Sequence, residues 1–267
     1  MGERAAPASA RPAVGLILPA RDEEEALPLV LGDLPPGVAR RVVVVDNGSR
    51  DRTAEVARAA GAQVVHEPRA GYGRACLAGM AALARPGPGG EPALGPGDVV
   101  AFLDADRSDY AEELPLIVGP ILAGRADFAL GSRILGGADM RALLPQAWFG
   151  NRLACFLMRL LFGARATDLG PFRALRWEAL QGLGMSDPTF GWTIEMQLKA
   201  HTQGLRVVEV PVRYRARVGR SKITGTLSGT VRAGARILGW ICAWRLRLWL
   251  TPAGSPRSRS PAHDARR

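Results

Sequence analysis

The stretch Asp98-Val-Val-Ala-Phe-Leu-Asp-Ala-Asp-Arg-Ser-Asp109 holds the residues best placed to do chemistry. An apolar run from Val99 to Leu103 has the length and β-branched content of a buried strand, and it ends in Asp104-Ala105-Asp106. Residues two apart on extended chain point the same way, so both carboxylates leave the carboxyl end of the strand side by side. Two anions held that close repel unless a cation stands between them, and hard oxygen ligands suit Mg²⁺ or Mn²⁺. A solvated acidic turn would carry the same tripeptide, so the elements around it decide between the two.

Those elements read as repeated strand-helix units. Val14 to Leu18 is a short apolar strand, followed by Pro19-Ala20-Arg21-Asp22-Glu23-Glu24-Glu25, and this acidic cluster is expected to open a helix running toward Leu34. Arg41 to Val45 is a second strand, closing in Asp46-Asn47-Gly48-Ser49-Arg50-Asp51; Asp51 or Ser49 would cap a helix over residues 52–60, which Gly61 ends. Val64-Val65 marks a third strand, followed by Gly71-Tyr72-Gly73-Arg74 and a helix to Leu83. Beyond the central strand the pattern predicts a helix over 111–122, a strand over 126–131, a long apolar helix over 143–162, a helix over 189–203 and a strand over 205–212. Four βα units in a row imply a doubly wound, mostly parallel sheet with right-handed crossovers. Ligands of such sheets bind at the carboxyl ends of the strands. Polar residues leave three of these ends, at Arg21-Asp22-Glu23, at Asp46 to Ser49, and at Asp104 to Asp106. Helix capping explains any one of them, but three on one sheet edge point to a nucleotide crevice.

At 267 residues and 47% hydrophobic, the chain can bury one α/β core of good size. Its net charge of +10 is local: nine Arg or Lys and no acid lie between Arg213 and Leu250, and four Arg face only Asp264 in residues 252–267. The body is therefore near neutral, and the basic carboxyl-terminal part lacks the interleaved aromatics expected of a nucleic-acid surface. Cys76, Cys155 and Cys242 are scattered through apolar patterns and read as core thiols of a reduced compartment. The first twelve residues hold no apolar signal segment and no 18-residue uncharged span occurs, so a cytoplasmic protein with peripheral membrane contact is expected. The organisation reads as a disordered tail (1–11), a catalytic-type α/β domain (12–225), an amphipathic helix (226–251) and a disordered basic tail (252–267). Arg232, Arg236 and Arg247 share one face of that helix, beside several tryptophans, which suggests a helix lying among lipid headgroups on the inner face of the cell membrane. A helix packed on the domain, or an oligomer interface, is the alternative. No Walker A sequence is present, and Gly71-x-Gly73 lacks the third glycine of a Rossmann fingerprint, which sets aside ATPase and dehydrogenase readings.

Residues 19–24 (Pro-Ala-Arg-Asp-Glu-Glu), 44–53 (Val-Val-Asp-Asn-Gly-Ser-Arg-Asp-Arg-Thr) and 102–106 (Phe-Leu-Asp-Ala-Asp) resemble the three ordered motifs of family 2 glycosyltransferases with the GT-A fold. Within that family the chain looks most like the branch that glycosylates polyprenyl phosphates. Further matches are Gly131-Ser-Arg133, Thr167-Asp-Leu-Gly-Pro-Phe-Arg173, Ile194-Glu-Met196, Glu209-Val-Pro211 and Arg217-Val-Gly-Arg-Ser-Lys222, so the likeness covers roughly residues 13–225.

The resemblance implies a metal-dependent, inverting hexosyltransferase that uses a nucleotide-sugar of the UDP-glucose or GDP-mannose type. Pro19, Ala20, Arg21, Asp22, Glu23, Asp46 and Ser49 would surround the base and ribose, with Ala105 between the metal ligands. Gly71 and Gly73 would let backbone approach the nucleotide. Asp104 and Asp106 would hold Mg²⁺ or Mn²⁺ against the donor diphosphate. A phosphate acceptor is already ionised, so it needs cations more than a base, and Arg133, Arg217, Ser221 and Lys222 suit it. Were the acceptor a hydroxyl of a glycan or metabolite, Asp168 or Glu195 would be the candidate base.

Overall fold

The computed structural model describes residues 12–138, 145–219 and 227–250; Ser221 and Lys222 lie outside the described residues. Among these, strands β1 (Val14–Ala20), β2 (Arg41–Asp46), β3 (Gln63–His66), β4 (Val99–Phe102), β5 (Phe128–Ser132), β6 (Arg173–Arg176) and β7 (Val207–Pro211) form one sheet in the order β3-β2-β1-β4-β6-β5-β7. The helices are α1 (Leu27–Gly32), α2 (Thr53–Ala59), α3 (Tyr72–Leu83), α4 (Leu114–Leu122), α5 (Pro145–Phe162), α6 (Trp177–Leu183), α7 (Trp192–Thr202) and α8 (Leu227–Leu250).

Strict alternation along the central strands explains why helices cover both faces. Leu16, Leu18, Val44, Val99 and Ala101 pack toward α1, α2 and α4, while Ile17, Val43, Val45, Val100 and Phe102 pack toward α3, α6 and α7. A strand buried on both sides has to be apolar throughout, which is the run seen at β2 and β4. From β1 the chain winds outward to β3 and then returns to β4 on the other side of β1. The order reverses between β1 and β4, so a crevice opens at their carboxyl ends.

The sheet is mixed, because β6 runs antiparallel to both β4 and β5. The hydrophobic pattern does not reveal β6 or α6. β6 is four residues long and contains two arginines, of which Arg173 is fully buried. Its guanidinium donates to the carbonyls of Leu169, Gly170 and Thr193, so a charge enters the core with its donors satisfied.

Two local expectations are corrected. The acidic cluster does not cap α1, whose N-cap is Ala26 and whose first turn carries no acid. Instead the β1–α1 loop is buttoned to the β2–α2 loop: the Glu23 and Glu24 amides donate to Thr53 Oγ1 (2.8 Å) and Asp51 Oδ2 (3.0 Å), and Glu24 Oε2 accepts from the Arg52 amide (3.1 Å). Asp51 does accept from the Thr53 amide at the start of α2, whereas Ser49 accepts from the Asp22 amide. Cys76 and Cys155 are buried as expected of core thiols, but Cys242 is exposed.

Helix α8 packs on α5 and α7 through Ile237, Trp240, Ile241 and Trp244, the spacing of one helical face. Arg236 is still half exposed but is tied to the domain, since it donates to Asp187 at 2.8 Å, and Arg247 lies over the Trp244 ring. The Arg232 side chain lies outside the described residues. Among the described residues no helix is long and apolar enough to cross a membrane.

Candidate active site

At the carboxyl ends of β1 and β4 lies a cavity of about 260 Å³ whose lining includes Pro19, Ala20, Arg21, Glu23, Gly71, Asp104, Ala105, Asp106 and Arg217. Nine of the sequence-derived candidates thus meet in one place, although they come from positions as far apart as 19 and 217.

The two carboxylates of the Asp-x-Asp motif sit in different surroundings. Asp106 Oδ1 accepts from the Ser108 amide (2.9 Å) and hydroxyl (2.5 Å), and its Oδ2 lies 3.0 Å from Arg217 Nη1. Asp104 Oδ1 is buried with no hydrogen-bond partner. Burial, then repulsion from Asp106, pushes the Asp104 carboxyl up to about 7, and the Tyr72 hydroxyl offsets only part of that. Behind them Asp109 is buried with both oxygens unpartnered, and burial followed by the charge of Asp104 raises its carboxyl well above the usual range. An orphaned hard acceptor beside a second carboxylate fits a divalent cation. Among the described residues no group of three or more His, Cys, Asp or Glu surrounds one point. The remaining ligands of such an ion would therefore come from diphosphate and water, as at Mg²⁺ sites.

Among the described residues, the basic segment after β7 is not a loop of unpaired cations. Arg213 pairs with Glu113 and Glu112, Arg215 with Asp33, and Arg217 with Glu23 (2.8 Å) and Asp106, while Arg213 and Arg215 sandwich the Tyr110 ring at 4.1 and 4.2 Å. The acids that balance this run come from elsewhere in the sequence, which is why a local count of charges misjudges it. Backbone bonds from Arg215 to Ser108 and from Val218 to Asp106 lay the segment across the Asp-x-Asp turn and deliver Arg217 to the cavity.

Of the other candidates, Asp22, Asp46, Ser49 and Gly73 support the cavity without lining it. Asp22 Oδ1 accepts from the Arg50 amide, and Asp46 accepts from the Ser49 amide with His66 Nδ1 3.1 Å away, so these residues hold the two loops together. Asn47, next to Asp46, is the residue of that loop that faces the cavity. Gly71 and Gly73 serve close packing against a protein wall: a Cβ on Gly71 would meet the Pro188 carbonyl at 2.3 Å, and one on Gly73 the Asp187 carbonyl oxygen at 1.9 Å. In return the Gly73 and Arg74 amides donate to Thr189 and Pro188.

Asp168 is fully buried and takes a bidentate contact from Arg133 (2.8 and 2.7 Å) plus the Arg133 amide. Arg133 is desolvated, yet Asp168 outweighs that effect and holds its guanidinium pKa above the ordinary value. Glu195, also fully buried, accepts from the Ser186 and Asp187 amides and from Lys199 Nζ (2.7 Å). Neither carboxylate, nor Arg133, lines the cavity. Glu195 instead fixes the 186–190 segment, whose Thr189 and Phe190 form one cavity wall, and Asp187 in that segment is gripped by Arg236 and Trp240 of α8. Besides the small Ala70 and Ala75, the lining residues that sequence reasoning missed are Tyr72, Asn47, Thr189 and Phe190. The first two sit inside motifs already singled out, whereas nothing local marks the last two.

The chain matches the family described as Glycosyl transferase family 2 over residues 16–184. An uncharacterized glycosyltransferase of Mycobacterium tuberculosis is 38% identical over 227 residues, covering 83% of this chain and 94% of that protein. A dolichyl-phosphate hexose transferase of Haloferax volcanii is 32% identical over 240 residues, covering 88% and 96%. The crystal structure of glucosyl-3-phosphoglycerate synthase from Mycobacterium tuberculosis with Mn²⁺, UDP and glucosyl-3-phosphoglycerate superposes with a TM-score of 0.64 at 24% identity, over 91% of this chain and 82% of that one. That likeness agrees with a GT-A sheet whose crevice lies at the ends of β1 and β4. With the family matched across most of the sheet and close relatives matched nearly end to end, the chain belongs to glycosyl transferase family 2 and is a nucleotide-sugar-dependent glycosyltransferase.

Proposed function

We propose that the enzyme transfers a hexose from a UDP-glucose or GDP-mannose type donor to a polyprenyl phosphate, with inversion at the anomeric carbon. The observation that carries this reading is a cavity in which the Asp104–Asp106 pair faces an arginine, Arg217, and the other lining carboxylate, Glu23, is paired with that arginine. In the proposal Pro19, Ala20, Arg21 and Asn47 receive base and ribose, and Glu23 orients Arg217. Asp104 and Asp106 hold Mg²⁺ or Mn²⁺, which would neutralise charge on the departing diphosphate. Arg217 positions the acceptor phosphate, whose ionised oxygen attacks the anomeric carbon without prior deprotonation. Ser221 and Lys222, outside the described residues, remain candidates for the same task by residue type. Asp22, Asp46, Ser49, Gly73, Arg133, Asp168 and Glu195 act as positioning residues.

The hydroxyl-acceptor alternative needs a base, and Asp168 and Glu195 are both sealed in buried ion pairs, which weighs against it. The dolichyl-phosphate relative supports a lipid phosphate acceptor. So does the surface of α5 and α8, where Phe149, Phe156, Leu160, Leu246 and Trp249 (77% exposed) stand in solvent, with Arg245 beside the last two. Such a face suits peripheral contact with an anionic bilayer. Labelled nucleotide-sugars offered with a short-chain polyprenyl phosphate, or with the corresponding free alcohol, test the reading. Labelled lipid should form only from the phosphate, and equal labelling of the alcohol would refute it.

A further inference from the structure

Arg217 occupies a position with two consequences. Its Nη1 lies 3.0 Å from Asp106 Oδ2 and its Nη2 donates to Glu23 Oε1 at 2.8 Å, while its Nε is buried without a partner. The other oxygen of Asp106 is already taken by Ser108. The Asp106 oxygen that Ser108 leaves open is thus engaged by a guanidinium from a residue that also lines the cavity. Asp104 beside it keeps an orphaned oxygen. A guanidinium and a divalent cation on that oxygen repel each other and draw on the same carboxylate charge, so they compete for it.

Resting on the glycosyltransferase reading above, we infer that Arg217 is an internal counter-cation that stands in for the divalent ion in the metal-free chain and is exchanged for it on loading. The main chain of the segment is pinned, by Arg215 N to Ser108 O (3.0 Å), Val218 N to Asp106 O (3.0 Å) and the Asp109–Tyr214 bridge, so the exchange involves the side chain alone. Glu23 remains as the pivot. Released from Asp106, the guanidinium keeps one anchor and turns its freed N–H groups into the cavity, where a phosphate oxygen can accept them. The device neutralises Asp106 when no metal is bound, and it withholds the acceptor-phosphate cation until the metal is in place. Binding then becomes ordered, with the metal before the acceptor phosphate.

The test is Mn²⁺ binding by full-length, chelator-stripped protein, read as free Mn²⁺ by electron paramagnetic resonance with and without UDP. Arg217→Met removes the competitor at similar length and should bind Mn²⁺ about tenfold more tightly than wild type, the low end for a charge-assisted contact that is partly exposed. Arg217→Lys should stay near wild type, and Asp106→Asn should lose binding in either background. If Arg217→Met binds Mn²⁺ no more tightly while Asp106→Asn abolishes binding, the exchange is wrong and the metal site stands. If Asp106→Asn binds like wild type, the metal-site reading itself fails. A second measurement uses wild type only: phenylglyoxal labelling of Arg217, followed by peptide mass mapping, should accelerate when Mn²⁺ is added. An unchanged or slower rate would overturn the inference.

Discussion

Asp104→Asn should stabilise the metal-free protein at alkaline pH while removing its response to metal. Burial and the neighbouring Asp106 push the Asp104 carboxyl up to about 7 from 3.8. The folded state then keeps a proton that the unfolded chain has already released between pH 4 and pH 7, so the stability linked to this group is complete below pH 4 and is lost as pH rises through 7. At about 1.4 kcal/mol per pKa unit the ceiling on that loss is on the order of 4 kcal/mol. The Asn amide recovers only part of it, because the oxygen it replaces at Oδ1 has no partner either; a gain of about 1–3 kcal/mol is expected. For a chain of this size that corresponds to a rise in melting temperature of about 2–5 °C at pH 8, and less than half of that at pH 5. Thermal unfolding in EDTA at the two pH values measures it, and repetition with Mn²⁺ and UDP should show wild type gaining stability and the variant not. A melting temperature at pH 8 equal to or below wild type would refute the account of Asp104 as a buried carboxylate that ionises at a cost.

Arg133→Met leaves Asp168 buried without its bidentate partner and should cost about 3–5 kcal/mol in urea denaturation, with most of the loss recovered in Arg133→Met/Asp168→Leu; a near-neutral single variant would show that the pair is not structural. Gly73→Ala forces α3 off the 187–190 wall, since its Cβ would lie 1.9 Å from the Asp187 carbonyl oxygen, and should destabilise by about 1–3 kcal/mol and weaken UDP binding. Gly182→Ala, with nothing within 4 Å, is the control. Replacing the exposed Leu246 and Trp249 together by Ser should abolish co-sedimentation with anionic vesicles and leave the melting temperature within about 2 °C; retained vesicle binding would move the membrane contact elsewhere.

The parts of the fold that the sequence announces are those whose side-chain pattern follows from burial alone. β1, β2 and β4 are apolar runs because helices cover both faces, and their polar ends are visible because a strand must stop where it meets solvent. β6 is invisible for the opposite reason. Its core face includes Arg173, whose charge is tolerated only because main-chain carbonyls of the preceding turn, Leu169 and Gly170, and of Thr193 in α7 converge on it. The site divides in the same way. Arg21, Glu23, Asp104 and Asp106 are legible as strand-end residues, whereas Thr189 and Phe190 enter the cavity only because Gly71 and Gly73 let α3 approach their loop. Arg217 was expected to be a cation awaiting an anion. Its actual partners, Glu23 and Asp106, lie more than a hundred residues away, and no local count of charge could supply them.

The most direct test of the central claim is the binding of UDP, GDP and their hexose conjugates to wild type and to Asp106→Asn, each with and without Mn²⁺, by isothermal titration. The account predicts one preferred nucleotide for the wild type, bound tightly only when Mn²⁺ is present, and loss of that metal dependence in Asp106→Asn. Nucleotide binding that ignores both Mn²⁺ and the loss of the Asp106 carboxylate would contradict it.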